Sequence, residues 1–143
     1  MNQKDAFFDT KYVMQDSNTK DGLIEEQTLS SNGMWLKLFS RLDSNGKSEV
    51  HYNVHGCPHL IAITSIIIGD LQKKTIQELE SLNINEYADT IDLPKTKKDR
   101  LFLLEDALKG CIKHLKKEEE IQNSLLIIHL NQQMTLLMLI LKK

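Results

Sequence analysis

Cysteine and proline are scarce in this 143-residue chain, with two of each. Two cysteines cannot build a disulfide framework, so an apolar core must hold the chain together, and one domain of this length can bury such a core. Charge of one sign is lacking too. A formal net charge of −2 offers no clustered basic surface to draw nucleic acid or an anionic membrane. The amino terminus, Met1-Asn2-Gln3-Lys4-Asp5, is polar and carries no apolar signal-peptide core, so a reducing cytoplasm is the expected location. Also missing are a Ser/His/Asp or Cys/His arrangement, a paired-carboxylate site, a Gly-rich phosphate loop and any nucleic-acid motif, so no enzymatic activity is expected.

What is present reads as strands first and helices after. Residues 3–14, with Phe7, Phe8 and Tyr12, form a short amphipathic opening, and 22–29 form an edge strand. Across 34–42, Leu36, Leu38 and Leu42 alternate with Lys37 and Arg41, the period of a half-buried strand. Asp43-Ser44-Asn45-Gly46 is a turn, and its Asn-Gly pair predicts the primed hairpin type. Val50, Tyr52 and Val54 then alternate with Glu49, His51 and Asn53 in a returning strand, which predicts a solvent-facing His51. Trp35 and Phe39 share the face of Lys37 and Arg41.

After Cys57 the period becomes helical. Pro58 suits the first helical position, where a missing N–H costs nothing. Leu60, Ile61, Ile63, Ile67, Ile68 and Leu71 give a broad apolar face. Thr75-Ile76-Gln77-Glu78 has capping-box spacing. Thr96-Lys97-Lys98-Asp99 is expected to cap a third helix with Asp99 in its first turn; its stripe runs Leu101, Leu104, Leu108, Cys111, Ile112, Leu115. Cys111 is therefore expected to be a core thiol, and Lys116-Lys117-Glu118-Glu119-Glu120 a solvated surface. The order of elements indicates α+β, an antiparallel sheet of about three strands with helices packed on one face.

The Gly56-Cys57 turn, followed by Leu93-Pro94-Lys95-Thr96-Lys97 and then Leu103-Leu104-Glu105-Asp106-Ala107, resembles the IscU/NifU N-terminal family. Those are scaffolds on which iron–sulfur clusters are built. The likeness runs without a gap over residues 36–113, and Leu36-Lys37-Leu38, Lys74-Thr75, Glu78, Ala88 and Lys109 fall in register with it. It implies a domain over 1–120; the apolar residues of 121–143, on which the likeness is silent, are expected to form a helical extension. In the family a Gly-Cys turn, a Leu-Pro-Pro-Val-Lys loop and a His-Cys pair precede a Leu-Ala-Glu-Asp-Ala helix. In this register the family's first cysteine falls on Asn32, its nearby aspartate on Met34, and its His-Cys pair on Asp99 and Arg100. Of the three expected cysteines only Cys57 remains.

A [2Fe–2S] cluster takes four protein ligands, normally thiolates, and Asn32, Met34 and Arg100 do not supply them. One chain is therefore not expected to hold a cluster alone. Two chains sharing Cys57 would need further ligands from His55, His59 or Asp99. Sulfur acceptance survives the count. Cys57 sits at a strand-to-helix junction that favours its thiolate, and the resemblance places Arg100 beside it. SufE-type sulfur acceptors resemble this scaffold and carry one working cysteine in a similar turn. A second arrangement is a mononuclear zinc set of His55, Cys57 and His59, spaced two apart, with Asp99 from the Leu-Pro loop; Pro58, by starting a helix, works against it.

The resemblance implies a cysteine desulfurase as partner. It also implies a DnaK-type chaperone that reads the Leu-Pro-Pro-Val-Lys loop, but Lys95-Thr96 replaces the central Pro-Val and removes apolar contact there. Residues 124–141 are largely apolar, interrupted by His129, Asn131, Gln132, Gln133 and Thr135. A membrane span takes roughly 20 predominantly apolar residues, so the interruptions favour a helix packed on the domain or on a second subunit. The expected role is a divergent scaffold-like protein of iron–sulfur cluster biogenesis, acting as sulfur acceptor, adaptor or regulator. The alternative is an interaction or oligomerisation module that keeps the fold without the chemistry.

Overall fold

Residues 3–15, 23–30, 32–91 and 93–141 are described by a computed structural model. A short helix α1 (Gln3–Phe8) opens the chain, followed by strands β1 (Ile24–Leu29), β2 (Trp35–Leu42) and β3 (Ser48–His55). The three form one antiparallel sheet in the order β1-β2-β3. Period two in β2 is realised side chain by side chain: Leu36, Leu38, Ser40 and Leu42 are buried while Trp35, Lys37, Phe39 and Arg41 are half-buried on the other face. Opposite them on β3, Val50 and Tyr52 point into the same core. The N-terminal segment adds one parallel bridge, Val13 to Tyr52, on the outer edge of β3.

The expected hairpin forms, with Leu42 opposite Ser48, but its turn is not of the primed type. Only Gly46 takes a positive φ there, +75°, and it closes the turn, its amide donating to the Asp43 carbonyl, whereas the primed turn that Asn-Gly favours needs positive φ at both central residues. Asp43 accounts for the difference. Its Oδ1 accepts from the Asn45 and Lys47 amides at 2.8 and 3.0 Å, which favours a longer loop closed by the glycine.

Helix α2 (Pro58–Asp70) starts on Pro58 with Cys57 as N-cap. It lies along β3 and buries Leu60, Ile63, Ile67 and Ile68. Thr75 caps α3 (Ile76–Ser81) by accepting from the Glu78 amide at 3.2 Å. A 3-10 turn (Ile84–Glu86) leads into α4 (Tyr87–Thr90), and another (Lys95–Lys97) carries the Leu-Pro loop. In that loop Leu93 is buried while Pro94, Lys95 and Thr96 are exposed.

Helix α5 (Arg100–Leu141) begins later and ends much later than its pattern predicts. Thr96 to Asp99 are spent on the 3-10 turn and a bend, so Asp99 precedes the helix instead of sitting in its first turn. The stripe Leu101, Leu104, Leu108, Cys111 and Leu115 is buried against β1 and β2 as expected. The helix then continues through Lys116–Glu120 without a break. At 42 residues it is about 63 Å long. From 121 to 141 every side chain is exposed, so the tail does not pack on its own domain. Among the described residues this is the one helix whose length and composition would let it cross a membrane. His51 is a further correction: its side chain is 11% exposed and contacts Glu49 through Nε2 at 3.2 Å, held within the Arg41–Glu49 ion pair network instead of facing solvent.

Candidate functional site

The site lies where β3 ends and α2 begins. Gly56 makes that corner possible. A Cβ there would meet Leu60 Cδ2 at 2.8 Å and Met34 Cγ at 3.1 Å, closer than packed atoms tolerate. Cys57 follows in an extended conformation (φ −74°, ψ 161°). Its half-buried sulfur rests against a small apolar cluster of Met34, Leu60 and Leu103, edged by Val54. Met34 is held by its own turn, in which its amide donates to Ser30 Oγ at 3.2 Å and the Ser30 amide donates to the Met34 carbonyl at 2.8 Å.

The charged wall of the site comes from the start of α5. Arg100 is buried, 9% exposed, and its Nε donates to Cys57 Sγ at 3.5 Å. Its Nη1 donates to Asp99 Oδ1 at 2.5 Å, so the guanidinium is fixed at both ends. Burial raises the Cys57 thiol pKa. The Arg100 bond and charge, with the Leu60 and His59 amides at the helix start, outweigh that and bring it below its ordinary 9.0. Contact with Cys57 first, then with Asp99, pushes Arg100 further up, so it stays charged. The result is a single thiol, biased toward thiolate, with a fixed cation beside it. Cys111 is the contrast: burial drives it to about 11.

The other sequence-derived candidates are not gathered here. His55 is exposed and stacks on Trp35 at 5.9 Å between ring centroids. Asp99 spends its carboxylate on Arg100. Among the described residues, no three His, Cys, Asp or Glu side chains converge as a metal would require. His55, Cys57, His59 and Asp99 therefore do not form the zinc set that their spacing allowed. Asn32 is an exposed turn residue, its amide donating to Ser30 Oγ at 3.3 Å. Met34 has a packing role that its spacing marks, since it lies in phase with Leu36 and Leu38 on the buried face of the hairpin. The pairing of Trp35 with His55 follows from strand register, which spacing along the chain does not show.

The model of the NifU-like N terminal domain matches residues 15–122. The chain is 27% identical, over 73% of its own length and 82% of the other's, to the iron–sulfur cluster assembly scaffold protein IscU of Haemophilus influenzae. It is 26% identical, over 73% and 80%, to the protein of that name in Escherichia coli K12. Among solved structures it is similar to a NifU-like protein (N-terminal) from Brucella abortus, with a TM-score of 0.60 at 15% identity over 80% of this chain and 92% of that one. It is also similar to a putative iron–sulfur cluster assembly scaffold protein for the SUF system from Fervidobacterium islandicum AW-1, with a TM-score of 0.56 at 19% identity over 75% and 90%.

Proposed function

The chain belongs to the NifU-like N-terminal domain family of iron–sulfur cluster assembly scaffolds, and we propose that within it this protein accepts sulfur on Cys57 in place of holding a cluster alone. The observation that carries this reading is the Arg100 Nε to Cys57 Sγ contact at 3.5 Å. At a site built for iron, a fixed guanidinium beside the remaining cysteine opposes a metal cation by charge. The same guanidinium stabilises a thiolate, and it would stabilise the terminal sulfur of a persulfide in the same way.

The transfer balances without an oxidant. The Cys57 thiolate attacks the outer sulfur of a cysteine persulfide on a desulfurase, the donor class this reading names. A new S–S bond forms at Cys57, the donor's S–S bond breaks, and the donor cysteine leaves as thiolate. The apolar cluster of Met34, Leu60 and Leu103 shields one side of the product. The cytoplasm, with its reduced thiol pool, suits a resting free Cys57.

The test is incubation with a cysteine desulfurase and L-cysteine, followed by intact-mass measurement. One added sulfur atom is expected on the wild type and none on Cys57→Ser; an unmodified wild type would sink the acceptor reading. Anaerobic reconstitution with iron and sulfide is expected to leave both proteins without a stoichiometric cluster. A cluster on the wild type that Cys57→Ser loses would return the scaffold role to this chain. A second reading, an adaptor without chemistry, is favoured by the exposed apolar length of α5. It expects Cys57→Ser to be silent in cells.

A further inference from the structure

The exposed half of α5 carries a pattern that its own domain does not use. Ile127, Leu130, Met134, Leu137 and Leu141 follow one another at spacings of three, four, three and four residues, the seam of a left-handed coiled coil. They are 58%, 49%, 62%, 56% and 76% exposed. Between 126 and 141 every polar residue (His129, Asn131, Gln132, Gln133, Thr135) falls off that seam. Two of the polar contacts are closed within the helix: Gln133 Nε2 lies 2.9 Å from His129 Nε2, and Thr135 Oγ1 donates to the Asn131 carbonyl at 2.9 Å.

We propose that this segment is covered by the same segment of a second copy of the chain, running antiparallel. Charge decides the direction. The run Lys116-Lys117-Glu118-Glu119-Glu120 precedes the apolar stretch; Lys116 is taken by Glu80 of its own domain, which leaves this end acidic, and Lys142-Lys143 follow the stretch in sequence. Parallel pairing sets like charges side by side at both ends, whereas antiparallel pairing sets opposite charges together and opposes the two helix dipoles. Four of the seam residues then interdigitate in one register. Ile127 faces the partner's Leu137, and Leu130 faces the partner's Met134.

A bilayer is the competing cover, and the polar band disfavours it. His129, Asn131, Gln132 and Gln133 stand at the middle of the stretch, where hydrocarbon would penalise them most. At the centre of a solvent-exposed helix pair the same residues face water.

The experiment uses the full chain, free of detergent. Light scattering is expected to give twice the 16.5 kDa chain mass; a monomer at concentrations of about 50 μM, far weaker than a standard interface gives, overturns the proposal. Leu130→Gln with Leu137→Gln is expected to weaken association by at least about tenfold, since each amide would be buried in the seam. Leu136→Gln with Leu139→Gln, the same chemistry off the seam, is expected to change it little. Equal effects of the two pairs overturn the seam. Direction is read by oxidative cross-linking in a Cys57→Ser background. Chains bearing Ile127→Cys are expected to link to chains bearing Leu137→Cys and not to themselves; the reverse result overturns the antiparallel register. Co-sedimentation of the chain with phosphatidylcholine–phosphatidylglycerol vesicles, lost equally in both glutamine pairs, assigns the helix to the membrane and overturns the proposal.

Discussion

Two cysteines of one chain differ here because their neighbours differ. Cys57 has Arg100 and two helix-start amides, which outweigh its partial burial; Cys111 has burial without a cation. Alkylation with iodoacetamide, followed by peptide mass, is therefore expected to label Cys57 alone near pH 7 to 8. Arg100→Met should move the Cys57 pH profile upward, because the penalty of burial would then stand with less opposition. An unchanged profile would remove Arg100 from the activation. Cys111 has a consequence for stability. Its folded pKa is raised from 9.0 to about 11, so between those values the unfolded chain loses its thiol proton while the folded one keeps it. The slope of stability against pH is then negative in that window. By pH 10.5 the loss is roughly 2 kcal/mol relative to pH 8. Urea unfolding at the two pH values, on wild type and Cys111→Ala, checks this: the variant should show the smaller alkaline loss.

At the scale of elements, the site is a meeting of three ends: the turn before β2, the β3–α2 corner and the start of α5. The corner depends on Gly56. Gly56→Ala pushes a Cβ onto Leu60 and Met34 and is expected to cost about 1–3 kcal/mol. Thermal unfolding would read the cost, and a loss of Cys57 labelling selectivity should accompany it. Thr75→Ala removes the cap of α3 and is expected to cost about 1 kcal/mol with that selectivity unchanged. If both variants alter Cys57 alike, the corner has no special hold on the site. Helix α5 shows how a local signal misleads. Thr96 and Asp99 have N-cap chemistry, but Pro94 and the buried Leu93 commit the chain to a 3-10 turn first. The helix starts at Arg100, the residue that reaches the sulfur.

For the whole molecule, one helix serves two bodies of contact: its first half closes the sheet and its second half buries nothing on its own domain. Ending the chain after Glu120 is therefore expected to leave the domain's unfolding free energy within about 0.5 kcal/mol, measured at a concentration where the full chain is monomeric, while lowering its association. A large loss of stability would place the tail in the fold. Residue order by itself determined the α+β class, the hairpin between Leu36 and Val54, the helix after Cys57 and the core stripe from Leu101 to Leu115. Each of these is a periodicity of apolar residues, and burial enforces periodicity locally. It also placed Cys57 at a helix start and, through the family likeness, set Arg100 beside it. Tertiary structure alone decided what else surrounds that cysteine. Met34 packs against the thiol instead of an aspartate, Asp99 is taken by Arg100, and His55 is turned away by its stack on Trp35. Those outcomes depend on register across strands and on which ends of distant elements meet, and spacing along a chain does not carry that information.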